Sequence, residues 1–237
     1  MADKKHEPQP FSRWLWDWTK SILVAVVIWL FLRTFVIEAF HIPSGSMENT
    51  LLIGDFLFVN KALYGAEVPL IHKTLPAFRE PRRNDLLVFD SVEEPIELVK
   101  RLIGVPGDTL AMKDGQLYRN GKAVPEPYVI HTNPGKSEGP LMRDKMRRWQ
   151  LPHVAGDTAG YHPDLNDWGP IVIPPDSFFM MGDNRDDSYD SRYWGLLPRK
   201  SVRGRPLLIY YSYDPGSWRA LPFLTAVRWG RIFSTPE

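Results

Sequence analysis

The stretch that decides the fold is residues 96–103, IELVKRLI, in which a lysine stands among branched apolar side chains. A short apolar run bounded by turn residues predicts a buried β-strand. Side chains alternate along a strand, so Lys100 should share a face with Leu98 and Leu102, while Arg101 is directed to the other face. Apolar neighbours destabilise the charged form of an amine, and we therefore expect the pKa of Lys100 to be lowered.

Similar short runs on both sides of this stretch predict a mostly β fold. They are residues 55–60, 85–90, 177–181 and 206–211, all rich in apolar side chains. Residues 109–121, TLAMKDGQLYRNG, place Asp-Gly and Asn-Gly dipeptides between apolar positions, which is typical of tight hairpins. Residues 125–175 are rich in Pro, Gly, His and charge, so we expect a less regular lobe there, inserted between two strands of the core.

A serine upstream is a candidate partner for the lysine. Ser46 lies in residues 43–47, PSGSM, on a glycine-containing turn. A serine and a neutral lysine can run acyl transfer without histidine, because the amine accepts the proton of the hydroxyl. The residues alone leave two other interpretations open: a simple turn hydroxyl for Ser46, and a buried stem with a solvent-reaching amine for Lys100.

The overall composition excludes several classes of function. The chain of 237 residues has 29 basic and 28 acidic residues and a net charge of +1, which gives no support for a nucleic-acid partner. It has no cysteine, which excludes disulfides, thiolate catalysis and Cys-ligated metals. Its 22 prolines favour turns and short strands over a helical bundle.

The first forty residues predict one membrane anchor. Residues 21–32, SILVAVVIWLFL, carry no charge, and residues 14–37 would rise about 36 Å as a helix, enough to cross a bilayer. Tryptophans at 14, 16 and 18 suit the interface, as do Lys20 and Arg33 at the two ends. A buried core helix and a cleavable secretion signal are the alternatives. Basic residues before the span, including Lys4 and Lys5, predict a cytoplasmic segment 1–13 and an exported segment 38–237.

Four motifs, in order, resemble the bacterial type I signal peptidases. They are residues 43–55 around PSGSM, residues 83–89 (RNDLLVF), residues 100–108 (KRLIGVPGD) and residues 182–195 (GDNRDDSYDSRYWG). The resemblance extends from about residue 35 to RWGRIF at residues 228–233. It implies a coiled antiparallel β-sheet catalytic core at about 38–112 and 176–237. A smaller β-rich lobe at about 113–175 would be inserted in that core, and one transmembrane helix would precede it.

The resemblance also implies an activity and a mechanism. The chain would be an endopeptidase of the cytoplasmic (inner) membrane that removes signal peptides from exported preproteins after a small-x-small site, without cofactor or metal. Ser46 would be the nucleophile and Lys100 the general base. The Ser44 hydroxyl and the Ser46 backbone N–H would form the oxyanion hole, and Ser188 would orient the Lys100 amine.

Further residues take supporting roles under the same resemblance. Ion pairs that brace the site are expected from Arg101, Asp183, Asp190 and Arg192. Shallow pockets for the two small substrate residues are expected from Phe40, Ile42, Leu51, Leu98 and Val99, for which ordinary core packing is the alternative. The chain departs from the family pattern at Asn49, where proline is usual, and at Glu48, a charge close to the nucleophile that we expect to point to solvent.

Two remaining features favour structural interpretations. His153, His162, Asp157 and Asp164 have no metal-binding spacing, so a polar loop is expected. The apolar tail either touches lipid or completes the core, and core packing is the favoured expectation; its members are Trp218, Leu221, Phe223, Leu224 and Trp229. Two other functions stay open, a Ser/Lys peptidase of another type, such as a self-cleaving repressor, and a tethered binding protein without catalysis.

Overall fold

The computed structural model describes residues 11–236 apart from residues 66, 69–72 and 75, and of residues 67–68 and 73–74 it describes the backbone. The basic residues Lys4 and Lys5 and most of the expected cytoplasmic segment lie outside the described residues. The strands are β1 Ile37–His41, β2 Asp55–Asn60, β3 Glu67–Val68, β4 Lys73–Thr74, β5 Leu86–Asp90, β6 Glu97–Gly104, β7 Thr109–Lys113, β8 Gln116–Arg119, β9 Lys122–Ala123, β10 Trp168–Val172, β11 Ser177–Met181, β12 Leu197–Pro198 and β13 Val202–Ser212. The helices are α1 Phe11–Phe35, α2 Pro140–Gln150, α3 Ser191–Trp194 and α4 Pro222–Thr225.

The predicted mostly β fold is confirmed. Seven strands form a curled antiparallel sheet in the order β1-β2-β13-β5-β6-β11-β12. The predicted runs at 55–60, 85–90, 96–103, 177–181 and 206–211 all overlap strands of this sheet. Each run buries apolar side chains in an apolar cluster on one or both faces of the sheet, whereas Leu207 of β13 is 43% exposed.

A second sheet of four strands, in the order β10-β7-β8-β9, carries the inserted part of the chain. Its hairpins turn at Asp114-Gly115 and Asn120-Gly121, where all four residues have positive φ, as the dipeptides predict. This sheet begins at Thr109, a few residues before the boundary expected at 113. Helix α2 lies within residues 125–175, where a less regular lobe is expected, and its Met146 is fully buried in the core beside the second sheet.

Helix α1 is apolar and none of its residues is buried by the rest of the protein. Its 25 residues have a mean hydropathy of 1.7 in the most apolar window, and it is the one described helix long and apolar enough to cross a membrane. It ends at Phe35, before the expected end at 37, because Ile37 already pairs with Asn60 in the sheet.

The expectation that the apolar tail completes the core is wrong. Trp218 is 96% exposed and Trp229 is 76% exposed. Leu221, Phe223 and Leu224 are exposed as well, because the tail runs over the surface after β13 in short turns rather than in a further strand of either sheet.

Candidate active site

Strand β6 carries Lys100 into the interior of the large sheet. Lys100 pairs with Leu87 of β5 and is 3% exposed. The predicted alternation is observed, since Leu98 and Leu102 pack in one apolar cluster and Val99 in another. Burial among these side chains lowers the pKa of Lys100 from 10.5 to about 8, against the opposing effect of Asp190.

The turn that carries Ser46 is a single 3-10 turn, Gly45–Met47, and all three of its residues are buried. The segment after β11 holds this turn in place through two hydrogen bonds. The Asn184 backbone N–H donates to the Ser46 carbonyl at 3.2 Å, and the Asn184 side-chain amide donates to the Gly45 carbonyl at 3.3 Å. The position of the Ser46 hydroxyl is therefore set by tertiary contacts and not by its turn alone.

Gly182 lets these two segments come together. A Cβ at this position would lie 2.3 Å from Ser188 Oγ and 2.5 Å from the Ser46 carbonyl oxygen. No side chain fits in that space, so glycine is required for the close approach of the two backbones.

The structure brings Ser46 and Lys100 into direct contact although 54 residues separate them. Lys100 Nζ donates to Ser46 Oγ at 2.5 Å, and both residues are buried. In the neutral form of the amine the same contact lets Nζ accept the proton of the hydroxyl.

Two other predicted serines lie beside this pair. Ser44 Oγ is 3.4 Å from Ser46 Oγ. The Ser188 side chain is buried against the same site, but its Oγ has no hydrogen-bond partner among the described residues. The predicted hydrogen bond from Ser188 to Lys100 is thus not formed in this structure, and the orienting role stays a prediction.

The four predicted charged residues form two buried ion pairs. Arg101 Nη2 lies 2.6 Å from Asp183 Oδ2, and Arg192 Nε lies 2.9 Å from Asp190 Oδ1. Asp190 also accepts from the Gly182 backbone N–H at 3.0 Å, which ties the second pair to the loop that fastens Ser46. The Arg192 guanidinium holds the pKa of Asp190 below its usual value despite complete burial.

A cleft of about 460 Å³ opens onto the serine and the lysine. Ser44, Ser46 and Lys100 line it, together with side chains from residues 91–98, 136–142 and 187–193. The cleft has room for several side chains of an extended peptide.

Of the five predicted pocket residues, Leu98 lines this cleft. Phe40, Ile42, Leu51 and Val99 pack together in the apolar cluster behind the Ser46 turn. Ile42 and Leu51 are 1% and 0% exposed. Their contact with a substrate therefore stays a prediction, while their packing in the core is observed.

No group of three or more His, Asp or Glu side chains suited to a metal is found in the part of the chain that the structure describes. The candidates His153 and His162 lie in the irregular lobe, where His153 Nδ1 is 2.9 Å from the Trp149 carbonyl oxygen.

Comparison with known proteins identifies the family. The family model for signal peptidase, peptidase S26, matches residues 15–211. A signal peptidase I from Pseudomonas aeruginosa is 36% identical over 226 residues, covering 89% of this chain and 78% of that protein. A signal peptidase I from Bacillus licheniformis is 34% identical over 201 residues, covering 84% of this chain and 90% of that protein.

The chain belongs to the signal peptidase family, peptidase S26.

Membership of this family makes the chain a protease of signal-peptide processing. A crystal structure of a signal peptidase I from Enterococcus faecalis V583 also matches, at 28% identity and a TM-score of 0.37, covering 54% of this chain and 98% of that chain.

Several residues that build this site were not singled out from the sequence. Thr50 donates to Asp183 at 2.5 Å, and the Arg101 guanidinium lies 3.9 Å from the centre of the Tyr128 ring. Arg185 pairs with Glu126 at 2.5 Å, which links the lobe to the loop after β11. Thr50 and Arg185 lie in the quoted motifs, but Tyr128 and Glu126 lie in the irregular stretch 125–175, where the sequence gives no signal for them.

Proposed function

We propose that this chain is a membrane-bound endopeptidase that removes signal peptides from exported preproteins after a small-x-small site, with Ser46 as nucleophile and Lys100 as general base. The observation that carries the proposal is the 2.5 Å contact between Lys100 Nζ and Ser46 Oγ at the floor of an open cleft. Family membership supports the substrate class.

The chemistry follows from this contact. Ser46 Oγ attacks the carbonyl carbon of the scissile peptide bond, and its proton passes to the neutral Lys100 amine. The tetrahedral oxyanion is stabilised by the Ser44 hydroxyl and the Ser46 backbone N–H. The C–N bond then breaks, and the Lys100 ammonium returns the proton to the leaving amine. A water, deprotonated by Lys100, attacks the acyl-enzyme and releases the signal peptide.

The sheet offers an edge on which an extended peptide can bind. Strand β11 pairs with β6 from Arg101 to Gly104, so on that side β6 residues 97–100 have no partner strand among those the structure describes. Ile96, Leu98 and Lys100 from alternate positions line the cleft. A preprotein segment that adds along this edge would bring its backbone to Ser46 by β-augmentation.

The membrane part of the proposal rests on two exposed apolar features. Helix α1 is long and apolar enough to cross a bilayer, with its N-terminus in the cytoplasm by the charge bias of the sequence. The exposed tail aromatics Trp218 and Trp229 suit contact with lipid, the less favoured of the two interpretations of the tail. Tethering by α1 would hold the cleft at the outer surface of the membrane, where the cleavage site of the preprotein emerges.

Both alternative functions are less well supported. A self-cleaving repressor is disfavoured by the match to the signal peptidase family over most of the chain. A tethered binding protein without catalysis gives no reason to keep a buried lysine of lowered pKa in contact with a serine hydroxyl.

Cleavage of a purified preprotein in detergent tests the proposal. The full-length chain should release a mature protein whose first residue, read by mass spectrometry, follows a small-x-small sequence. Replacing either small residue by leucine should abolish cleavage there, whereas the same replacement at the intervening residue should not. Cleavage at sites unrelated to small residues would show that the substrate class is wrong.

A further inference from the structure

We infer that the cleft selects a basic side chain at the residue between the two small ones of the cleavage site, and that Asp187 and Glu94 bind it. This inference rests on the proposed function and deepens it, since it assigns a preference to the position written x.

The first step is the direction in which that residue points. Side chains alternate along an extended peptide, so the two small residues face one way and the residue between them faces the other. If the small residues face the floor of the cleft, where Ser46 and Lys100 lie, the intervening side chain must point to the mouth.

The second step is the charge at the mouth. Four carboxylates line the cleft, and two of them are already neutralised. Glu93 lies 2.7 Å from Lys145 Nζ and accepts from the Tyr189 hydroxyl at 2.6 Å. Glu138 accepts from the Tyr193 hydroxyl at 2.8 Å and lies 3.5 Å from Lys136 Nζ.

The other two carboxylates, Glu94 and Asp187, have no hydrogen-bonding or ion-pairing partner for their side chains among the described residues. They come from two different segments of the lining, Glu94 from the loop before β6 and Asp187 from the loop beside Ser188, and both are exposed. A third carboxylate is near: a Cβ on Gly45 would lie 3.6 Å from Asp187 Oδ2 and 3.3 Å from Glu48 Oε2. Two unpaired acids in the lining of the cleft attract a cation and repel an anion.

The expected effect is moderate because exposed ion pairs are screened by water and salt. With two carboxylates acting on opposite substrate charges, we expect kcat/KM to be about tenfold higher for lysine than for glutamate at x, with glutamine between them. The ratio should shrink as the ionic strength is raised.

The experiment uses the full-length chain in a zwitterionic detergent and one preprotein with Lys, Gln or Glu at x. The double variant Asp187→Asn, Glu94→Gln should bring the Lys:Glu ratio of kcat/KM close to 1, and Asp187→Lys should reverse it. Asp157→Asn is the matched control, since Asp157 lies in an exposed loop outside the cleft and should leave the ratio unchanged. Each ratio is taken within one variant, so any effect of Asp187 on the pKa of Lys100 cancels.

A wild-type ratio near 1, or a ratio that the double variant leaves unchanged, would overturn the inference. Such a result would leave the proposed function standing as long as the glutamine preprotein is cut at its small-x-small site. Failure to cut any of the three preproteins would instead remove the proposed function.

Discussion

Lys100 is the residue on which the proposed mechanism depends, because its amine must be neutral to accept the serine proton. Burial lowers the pKa of Lys100 to about 8, so about a tenth of the amine is neutral at pH 7 and half at pH 8. The kcat/KM for preprotein cleavage should therefore rise about fivefold between pH 7 and pH 8 and level off above about pH 9. A pH–rate profile that is flat from pH 6 to 9 would exclude Lys100 as the titrating base.

The same burial makes Lys100 a cost to stability. Below about pH 8 the lysine is charged in the folded and the unfolded state, and the folded state bears the full desolvation penalty. Lys100→Met should therefore raise the free energy of unfolding at pH 7, by about 1–3 kcal/mol. The advantage should shrink as the pH rises toward 10.5, where the lysine is neutral in the folded state and half neutral in the unfolded state. Thermal unfolding at pH 7 and pH 10 measures both effects, and a lower melting temperature for the variant at pH 7 would contradict this account.

At the scale of elements, the site depends on how closely the loop after β11 approaches the Ser46 turn. Gly182→Ala would place a methyl group 2.3 Å from Ser188 Oγ and 2.5 Å from the Ser46 carbonyl oxygen. Because backbone must shift to make room, we expect cleavage to fall at least about 100-fold and the melting temperature to fall as well.

Gly135→Ala is the matched control for this variant. Nothing lies within 4 Å of a Cβ at Gly135, so its activity and melting temperature should equal those of the wild type. Near-normal cleavage by Gly182→Ala would show that the turn and the loop need not approach so closely.

Five of the seven described strands of the large sheet could be predicted because each of their apolar runs is short and bounded by turn residues, whereas β1 and β12 were not predicted. Strand β6 is the clearest case, since the alternation of Leu98, Lys100 and Leu102 against Val99 already places the lysine on one face. Helix α2 was not predicted, although Met142, Met146 and Trp149 stand at helical spacing and pack on one apolar cluster, because Pro, Gly and charge around them hide the pattern. The meeting of Ser46 with Lys100 is a property of the sheet topology, and the sequence indicated it through family resemblance alone.

At the scale of the whole molecule, the apolar helix α1 is separate from the sheets that carry the candidate site. No residue of α1 is buried by the rest of the protein, so its removal exposes little core. A chain lacking residues 1–35 should unfold at nearly the same temperature as the full-length chain. Its kcat/KM for a short peptide in detergent should be unchanged, whereas its cleavage of a preprotein in lipid vesicles should fall about 100-fold.

Comparison of the two substrates provides the internal control for the truncation. Equal loss on peptide and on membrane-bound preprotein would mean that α1 supports the fold of the catalytic part rather than its placement at the bilayer. Undiminished cleavage of the preprotein in vesicles would mean that other surfaces, such as the exposed tail around Trp218, suffice for membrane placement.

The central claim is that Ser46 and Lys100 together cut the peptide bond. The most direct measurement is preprotein cleavage in detergent by the purified full-length wild type, Ser46→Ala and Lys100→Met, with thermal unfolding to show that all three are folded. We predict cleavage by the wild type and a loss of at least about 1,000-fold in both variants at every pH from 6 to 10. Retained cleavage by a folded Lys100→Met variant would contradict the claim and require another base.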